Sequence, residues 1–333
     1  MATPIPELIG SPLPAISVIL PVLNEESHLE GAVLSVLSQD YRGPLEIILA
    51  LGPSRDRTNE IAAKLASQDN RVKLLDSPTG KTAAGLNLAL AASKSPVVVR
   101  VDGHAQIPNN YISLIVEILN KTGAVNVGGV MAAVGTTAFE RAVAGAMRSP
   151  LGVGASRFHT GGEAGEVDTV YLGAFRREAL VAIGGFDERF TRAQDWELNF
   201  RLRENGGVIY FDPRLHVTYR PRSSVGALAK QYFEYGRWRR VVSRRHSGTI
   251  NYRYLAPPFA LLGFSASLVL GIALSSIFFI PALVYLLFVV LASLKISTSI
   301  GEYLLLLLVI PTMHFAWGAG FISSPKTLVP ASQ

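Results

Sequence analysis

The chain has 333 residues, of which 49% are hydrophobic and 17% are charged, and it contains no cysteine. This composition excludes a disordered or fibrous chain, and the lack of cysteine excludes disulfides, thiolate zinc sites and cysteine nucleophiles. Residues 254–294 and 303–325 contain no Asp, Glu, Lys or Arg. Because one bilayer crossing needs about 20 apolar residues, these two tracts predict a C-terminal transmembrane region of two to three helices.

The net charge of +6 is concentrated in one block, since residues 220–253 hold nine Lys or Arg and a single acid, Glu234. A basic block directly before a membrane tract follows the positive-inside rule and suits anionic lipid headgroups. A membrane partner is therefore favoured and nucleic acid is not. The N-terminus has no Lys or Arg before Arg42, so it lacks the basic region of a signal peptide. We expect the part before the membrane tract to stay in the cytoplasm.

Short β-branched segments alternate with helical patterns through residues 15–101, which is typical of βαβ units on a parallel sheet. In open α/β sheets, ligands bind beyond the carboxyl ends of the strands, so the segments that follow these strands are where a site is expected. The predicted strands are 16–20, 45–51, 72–75 and 97–101, and the predicted helices between them are 27–38, 58–67 and 82–93.

Beyond Asp102 the regular alternation ends. Residues 151–168 are rich in glycine and poor in apolar side chains, so they are interpreted as a long mobile loop and a possible lid. The other elements predicted in this part are helices at 108–121, 137–148 and 194–204 and strands at 124–131, 170–175, 208–211 and 216–219.

The expected domain organisation is a catalytic domain followed by a membrane attachment. Three crossings would leave Gln333 on the side opposite to the catalytic domain, whereas the third segment could instead be re-entrant, since it is interrupted by Pro311, His314, Gly318 and Gly320. The divisions are a catalytic domain at 1–220, a basic interfacial segment at 221–255, a transmembrane region at 256–322 with segments near 256–277, 279–294 and 303–321, and a tail at 323–333.

Two acidic positions could carry chemistry. Asp102 ends the fourth predicted strand, with His104 two residues later. Oxygen ligands suit Mg and Mn, and Mn also accepts imidazole, so the pair could hold a divalent ion, although a turn-capping Asp102 and a solvated His104 are equally compatible. Asp195 begins a predicted helix, where it could serve as a general base or simply cap the helix.

Two basic features have a structural and a functional interpretation. Lys81 follows Pro78-Thr79-Gly80 at a helix start, where it could meet a phosphate or ribose or remain a solvated lysine. The segment Gln231–Arg240 interleaves aromatic and basic residues beside the membrane tract. It is predicted to anchor the chain at the interface, and it could also bind the phosphates of a lipid-borne substrate.

These short motifs occur in one order along the chain. They are Pro21-Val22-Leu23-Asn24-Glu25, Ser54-Arg55-Asp56-Arg57-Thr58, Asp102-Gly103-His104, Gln194-Asp195-Trp196-Glu197, and Gln231 with Arg237-Trp238. The order resembles glycosyltransferase family 2, the inverting GT-A enzymes, and is most similar to the membrane-bound β-glucosyltransferase type of succinoglycan biosynthesis. The resemblance covers essentially the whole chain.

The resemblance implies a fold and a set of roles. The fold is α/β, a GT-A Rossmann-like nucleotide-sugar domain followed by C-terminal transmembrane helices. The catalytic base is Asp195, and the metal ligands are Asp102 and His104. The donor residues are Pro21, Asn24, Glu25, Asp56, Lys81 and Asp102, and the acceptor residues are Gln231, Arg237 and Trp238.

The chain departs from the family pattern at three points. Leu51 replaces an acid that in many members contacts the uracil ring, and His104 replaces the second acid of the metal motif. Arg237 lies six residues after Gln231, a spacing that supports a processive polymer synthase less well. The donor base and the ligand set of the metal are therefore left open by the sequence.

The implied reaction moves a hexose from a nucleotide diphosphate sugar to an acceptor hydroxyl. A divalent metal (Mn or Mg) at Asp102 would neutralise the departing diphosphate, and Asp195 would deprotonate the acceptor from the opposite face, which inverts the anomeric centre. Membrane helices favour a lipid-linked sugar acceptor, and hence exopolysaccharide or cell-envelope glycan synthesis at the cell membrane, with the catalytic domain cytoplasmic.

Two alternatives belong to other classes of protein. Leu51 and His104 favour a catalytically inactive membrane scaffold that keeps the nucleotide-binding fold, whereas the presence of both Asp102 and Asp195 argues against it. A nicotinamide-linked oxidoreductase is excluded by the first turn. That turn, residues 21–26, contains no glycine and therefore lacks the Gly-x-Gly-x-x-Gly fingerprint.

Overall fold

The computed structural model of the protein describes residues 13–329. The first twelve residues of the predicted catalytic domain, and residues 330–333 of the predicted tail with Gln333 among them, lie outside the described residues.

Strands and helices alternate through the first part of the chain. In order they are β1 (Ile16–Val22), α1 (Leu29–Leu37), β2 (Leu45–Leu51), α2 (Thr58–Gln68), β3 (Val72–Asp76), α3 (Thr82–Ala92), β4 (Val97–Arg100), α4 (Tyr111–Thr122) and β5 (Asn126–Ala133).

The second part contains short elements and then long helices, with 3-10 turns at Ser276–Phe279 and Lys326–Leu328. In order they are α5 (Ala138–Met147), α6 (Pro150–Val153), α7 (Arg157–Thr160), β6 (Gly165–Glu166), β7 (Tyr171–Arg176), α8 (Arg177–Ala182), α9 (Gln194–Glu204), β8 (Ile209–Tyr219), α10 (Val225–Arg245), α11 (Tyr252–Ala273), α12 (Ile280–Ile296) and α13 (Ile300–Ser323).

The described residues form two compact units. The first, here called the sheet unit, comprises residues 13–132 and 161–219, and the second, the helical unit, comprises residues 133–160 and 220–329. The basic helix α10 and the apolar helices α11 to α13 thus share a unit with α5, α6 and α7, which the chain inserts between two strands of the sheet.

The sheet unit is built on one mixed sheet with strand order β3-β2-β1-β4-β7-β5-β8-β6. Strands β1 to β4 pair in parallel, whereas β7 pairs antiparallel with β4 and with β5. Helices cover both faces, with α1, α2 and α4 in one apolar core and α3, α8 and α9 in the other. Because both faces are covered, the parallel strands are apolar throughout, which is why their sequence pattern is so clear.

The sequence predicted the α/β fold class and the order of the early elements, and the structure confirms both. Two later predictions are wrong. The strands predicted at 208–211 and 216–219 are one strand, β8. The segment between the two predicted strands stays in the extended conformation because the Asp212 carboxylate accepts hydrogen bonds from the backbone N–H and the guanidinium of Arg214. The segment predicted as a loop at 151–168 contains α7 and β6, and β6 pairs with β8.

Three helices of the helical unit are long and apolar enough to cross a membrane: α11, α12 together with the 3-10 turn before it, and α13. Pro257 and Pro258 lie in the first turns of α11, and Pro311 lies inside α13 without ending the helix. The predicted interruption of the third apolar segment is therefore absent from these residues, and α13 continues for 24 residues.

Glycines allow α10 and α13 to approach closely. A Cβ at Gly236 would lie 2.0 Å from the Trp317 carbonyl oxygen, and a Cβ at Gly320 would lie 2.0 Å from the Phe233 carbonyl oxygen. Small residues that bring backbones together are the usual basis of tight helix packing where lipid removes the hydrophobic driving force. The basic helix α10 is thus fixed to the apolar helix α13 by backbone proximity.

We predict that Gly236→Ala destabilises the helical unit, because the added methyl group collides with a backbone carbonyl that cannot rotate away. Overpacking of this kind costs about 1–3 kcal/mol. Thermal unfolding of the full chain in detergent, followed by tryptophan fluorescence, measures the loss.

The matched control is Gly226→Ala in the same helix, where a Cβ would have no heavy atom within 4 Å. Alanine is the better helix former, so this variant should be as stable as the parent or slightly more stable. Equal unfolding temperatures for the two variants would contradict the close contact between α10 and α13.

Candidate active site

The loops that follow β1 and β2 are joined by hydrogen bonds. Asn24 has a φ of 56°, a left-handed conformation that asparagine tolerates better than most residues. Its Oδ1 accepts from the Arg55 N–H at 2.9 Å, and its own N–H donates to Ser54 Oγ at 3.0 Å. The left-handed turn at Asn24 is therefore held in place by two hydrogen bonds to the loop that follows β2.

Asp56 organises the same pair of loops. Its carboxylate accepts hydrogen bonds from the Thr58 hydroxyl and from the Glu26 N–H, and the Thr58 hydroxyl oxygen in turn accepts from the Glu25 N–H at 2.7 Å. The hydrogen bond from Thr58 is the main reason that the pKa of Asp56 is lowered. Asp56 thus holds the loop as a carboxylate, while its predicted contact with the donor stays a prediction.

Glu25 and His104 meet where β1 and β4 end. His104 Nδ1 lies 2.6 Å from Glu25 Oε1, and a Cβ at Gly103 would lie 3.1 Å from Glu25 Cγ. Gly103 is therefore the residue that lets the Glu25 side chain pass and reach the imidazole. The sequence placed Glu25 with the donor and His104 with the metal, and the structure joins the two.

Arg100 connects the two acids that the sequence singled out. Its side chain is 4% exposed, and its Nε and Nη2 contact Asp102 Oδ1 at 3.0 and 2.9 Å. Its Nη1 forms an ion pair with Asp195 Oδ1. One buried guanidinium therefore holds both carboxylates, which come from a strand end and from a helix 93 residues further along the chain.

Asp195 does not cap its helix, so that interpretation is wrong. The N-cap residue of α9 is Ala193, which has a φ of 58° and makes no side-chain cap. Asp195 is the second residue of the helix and points to Arg100, with 29% of its side chain exposed. A carboxylate that is partly exposed and fixed by a cation is suited to meet a substrate hydroxyl.

Two buried contacts fix α9 in the sheet unit. Glu197 pairs with Arg201 at 2.7 Å, and the Arg201 guanidinium donates to the carbonyl oxygens of Ile183 and Gly185. On the opposite side of the helix, Asn199 Oδ1 accepts from the Asn126 side chain of β5 at 2.6 Å. The orientation of Asp195 therefore depends on a helix that is hydrogen-bonded at both of its sides.

The pKa of Asp195 is raised to about 6. Burial is the largest cause, since desolvation disfavours the carboxylate, and the negative charge of Asp102 adds to it. The Arg100 guanidinium acts in the opposite direction and lowers the pKa. The balance places the titration close to neutral pH, which is where a general base is effective.

Two further predicted donor residues are located in β1 and at the start of α3. Pro21 is inside β1 and pairs in register with Ala50 of β2. Lys81 is exposed, and its extended backbone forms the N-cap of α3. At the end of β2, Leu51 lies opposite Asp76 of β3.

The predicted acceptor residues all lie on α10, in the helical unit. Gln231 Nε2 donates to the Tyr235 hydroxyl at 3.0 Å, and Arg237 pairs with Glu234 at 2.8 Å. Trp238 is 4% exposed and belongs to the interior of the unit. Their role toward an acceptor stays a prediction.

Acidic and imidazole side chains do not form a ready-made metal cluster, because no group of three or more converges within residues 13–329. The candidate metal ligands are the Asp102 carboxylate and His104, whose imidazole contacts Glu25. An ion held by so few protein ligands needs further oxygen ligands from a bound molecule, as Mg sites commonly do.

A parallel half-sheet with acids at its strand ends, joined to an antiparallel half that contributes a second acid from a helix, defines a GT-A glycosyltransferase domain. Residues 17–184 match the family described as Glycosyl transferase family 2. The chain belongs to this family.

Three known proteins illustrate the relationship. Succinoglycan biosynthesis protein ExoA of Rhizobium meliloti (strain 1021) is 34% identical over 242 residues, which cover 72% of this chain and 73% of the relative. A dolichyl N-acetyl-alpha-D-glucosaminyl phosphate 3-beta-D-2,3-diacetamido-2,3-dideoxy-beta-D-glucuronosyltransferase of Methanococcus voltae is 24% identical over 73% of this chain and 77% of the relative.

The third is a solved structure, the mannosyltransferase PcManGT from Pyrobaculum calidifontis in complex with GDP-Man and Mn2+. It superposes with a TM-score of 0.67 at 20% identity and covers 96% of this chain and 88% of that protein. At this identity the comparison shows a shared fold. The fold class and the similarity to a succinoglycan biosynthesis protein that the sequence predicted are confirmed.

Arg100 is the site residue that the sequence did not identify. The signal that could have revealed it is local, because it is the one charged residue in the otherwise apolar strand β4. A charge on a strand that is buried on both faces must be paired. Its second partner, Asp195, is not visible in any local pattern.

We predict that Arg100→Gln moves the acid limb of the pH–rate profile to higher pH. Arg100 lowers the pKa of Asp195 and Asp102 raises it, so removal of the cation leaves the repulsion and the pKa rises above about 6. A base acts only when deprotonated, and loss of a nearby opposite charge shifts a pKa by about 1–3 units. The measurement is kcat/KM for sugar transfer between pH 5 and 9.

Arg189→Gln is the control, because Arg189 pairs with Asp187 at 2.6 Å and does not contact Asp195. Its acid limb should coincide with that of the parent protein. An unshifted limb in Arg100→Gln would contradict the assignment of Arg100 as the group that sets the Asp195 pKa.

Proposed function

We propose that the protein is an inverting glycosyltransferase that moves a hexose from a nucleotide diphosphate sugar to a lipid-linked sugar acceptor during exopolysaccharide or cell-envelope glycan synthesis. The observation that carries the proposal is the Arg100 guanidinium, which brings Asp102 and Asp195 together. One acid is then available to the diphosphate side of a donor sugar, and the other to the attacking hydroxyl.

Asp195 acts as the general base in this proposal. Its pKa of about 6 leaves it ionised at neutral pH, yet basic enough to accept the hydroxyl proton as the new bond forms. Arg100 holds the carboxylate in one orientation, which keeps the base aimed at the acceptor. A single displacement from the face opposite the diphosphate turns an α-linked donor into a β-linked product.

Asp102 would hold a divalent ion together with diphosphate oxygens of the donor. When bound, such an ion neutralises the charge that develops on the leaving diphosphate. The solved mannosyltransferase structure of the same fold, in complex with GDP-Man and Mn2+, supports Mn or Mg in this role. Arg100 contacts the Asp102 carboxylate at 2.9 Å. It would therefore orient this metal ligand, as residues that hydrogen-bond to metal ligands commonly do.

The remaining donor contacts come from the joined loops. Asn24, Glu25 and Asp56 form the hydrogen-bonded edge of the sheet where a nucleotide would lie, with Pro21 inside the adjacent strand and Lys81 at the start of α3. The base of the nucleotide is left open, since Leu51 carries no polar group to contact it.

The lipid-linked acceptor is supported by the helical unit and by a relative. The unit combines apolar helices able to cross a membrane with the basic helix α10, whose Arg244 and Arg245 are exposed. The name of the Methanococcus voltae relative describes a dolichyl-linked sugar phosphate. We infer that α10 attracts the phosphates of a lipid carrier, with Gln231, Arg237 and Trp238 nearest the acceptor, at a cell membrane whose cytoplasmic side carries the catalytic domain.

The alternative of an inactive scaffold is not favoured by the site. A protein that only binds nucleotide has no need to keep a buried cation paired to two acids, since such a pair is costly to bury. Sugar transfer, in contrast, uses both acids that Arg100 holds, Asp102 and Asp195.

We predict that Asp195→Asn abolishes sugar transfer and preserves donor binding, because the amide keeps the shape of the carboxylate and cannot accept a proton. Removal of a general base lowers turnover by about 100-fold or more. Membranes containing the variant are assayed with a panel of radiolabelled nucleotide sugars, and the lipid extract is analysed for product. Binding of the donor is measured separately by titration.

Glu204→Gln at the exposed far end of the same helix is the matched control and should transfer at the parental rate. Turnover near the parental rate in Asp195→Asn would refute its role as the base. Loss of donor binding in that variant would instead indicate a structural role.

We also predict that Arg237→Gln combined with Arg240→Gln weakens the use of a lipid acceptor and leaves the donor affinity unchanged. Each cation near an anionic surface contributes about 1 kcal/mol, so two together should raise the apparent KM for the lipid acceptor about 10-fold or more. The comparison substrate is a detergent-soluble short-chain analogue that lacks the long lipid.

Arg222→Gln, an exposed position before α10, controls for a general loss of basic charge. If the lipid acceptor and the soluble analogue lose activity equally in the double variant, then α10 is an anchor and does not recognise the acceptor.

A further inference from the structure

The length and composition of α13 allow it to cross a bilayer, but its contacts decide whether it does. The helix has 24 residues and is therefore about 36 Å long, slightly more than the roughly 30 Å of a hydrocarbon core. If α13 crossed, whatever binds its first turn and whatever binds its last turn would lie on opposite faces of the membrane.

The first half of α13 is bound by α5. Arg141 Nε of α5 donates to Glu302 Oε1 in the first turn of α13 at 3.1 Å, and only 12% of the Glu302 side chain is exposed. At the next turn of α5, a Cβ at Gly145 would lie 2.9 Å from Ile296 Cγ2, which places the end of α12 beside α5 as well. The start of α13 and the end of α12 are therefore on the face where α5 lies.

The last turns of α13 are bound by α10. Besides the glycine contacts at Gly236 and Gly320, Ser324 Oγ donates to the Arg237 carbonyl oxygen at 2.9 Å, and the Arg244 guanidinium donates to the Ser324 carbonyl oxygen at 2.9 Å. The end of α13 is therefore on the face where α10 lies.

The helices α5 and α10 must be on the same face of the membrane. The chain between them, residues 148–224, is fully described, and the membrane-spanning candidates within residues 13–329 all begin at Tyr252 or later. α5 itself has ten residues and α10 carries six Lys or Arg, so neither can cross. Both ends of α13 are consequently bound to elements on one face.

The exposed large side chains in the first half of α13 lie on one side of the helix. Ile300, Leu304 and Leu308 are 81%, 60% and 49% exposed and recur every four residues, so they share one side of the helix. Leu306, Val309, Ile310 and Met313 on the other side are at most 1% exposed. Over its most apolar window α13 is 39% buried, against 17% and 22% for the two preceding candidates. A helix with one lipid-facing side is suited to lie at a membrane surface.

We propose that α13 is not a third crossing but lies in the plane of the membrane interface, on the face that also holds α5 and α10. Its stripe of Ile300, Leu304 and Leu308 inserts into the acyl chains of that leaflet. Only the hairpin of α11 and α12 enters the bilayer deeply, and it returns to the face from which it left. The end of the described chain is then on the same side as α10, which corresponds to two crossings out of the two to three helices that the sequence predicted.

The absence of cysteine from the sequence makes a direct test possible. Single cysteines are introduced at exposed or half-buried serine or threonine positions outside the helices, namely Ser247→Cys after α10, Ser275→Cys between α11 and α12, Ser297→Cys before α13 and Thr327→Cys after it. The full-length protein in sealed membrane vesicles of known orientation is treated with a membrane-impermeant maleimide.

The expected result is that Ser247→Cys, Ser297→Cys and Thr327→Cys react from the same face and Ser275→Cys from the opposite one. Reaction of Thr327→Cys from the face opposite to Ser297→Cys would overturn the proposal, because the chain would then cross between them.

The depth of α13 is a second and independent readout. Ile300→Cys, Leu304→Cys and Leu308→Cys are labelled with a small fluorophore, and quenching is compared for lipids brominated at a shallow and at a deep acyl position. A helix in the plane gives the same shallow-to-deep quenching ratio at all three sites. A crossing helix gives a ratio that changes steadily over the eight residues, which span about 12 Å.

The matched control is α12, where Leu283, Leu287 and Leu291 have the same spacing and are 60%, 57% and 56% exposed. Leu287 lies near the middle of α12, so its quenching ratio should be the deepest of the three, with shallower ratios at Leu283 and Leu291 on either side of it. A ratio that differs among the three sites of α13 would overturn the proposal even if the labelling of the flanking cysteines agreed with it.

Discussion

The sheet unit depends on the presence of one cation inside a buried strand. Arg100 is 4% exposed, and a guanidinium in such a place is tolerated only when carboxylates neutralise it. Asp102 supplies one charge from directly after the same strand, but the second must come from a different element. The fold therefore has to bring α9 to β4, and this electrostatic requirement assembles the two acids that the proposed chemistry uses.

Polar contacts of α9 also hold Asp195 close to Arg100. Glu197 and Arg201 pair inside α9 and bind the turn before it, while Asn199 connects α9 to β5. Glu197 and Asn199 are each 1% exposed and hydrogen-bonded, so together they specify one position for the helix. A helix held only by apolar packing could rotate or slide by a fraction of a turn, which would separate Asp195 from Arg100.

Local sequence pattern predicted the elements of the site but not its connections. The parallel strands are apolar because both faces are covered, so their ends, and with them Asn24, Asp56 and Asp102, could be placed from the sequence alone. Asp195 could be placed at a helix start, yet the local pattern favoured a cap, because its partner is 95 residues away and pairings over such distances leave no periodic signal. The apolar tracts show the same limit. Length and hydropathy establish that a helix can cross a membrane, whereas its actual course depends on what binds its ends.

The close approach of α10 to α13 connects the charge pattern to the membrane. A basic helix is normally free to move away from apolar surroundings into water. Here the backbones of α10 and α13 are in direct contact at Gly236 and Gly320, where no side chain would fit. If α13 lies at the interface as proposed, α10 is held at the same level and cannot withdraw. Its exposed Arg244 and Arg245 are then kept at the depth of lipid phosphates, where their attraction is strongest. The rigidity of the contact between α10 and α13, more than the number of cations, would therefore determine how closely a lipid-borne phosphate can be bound.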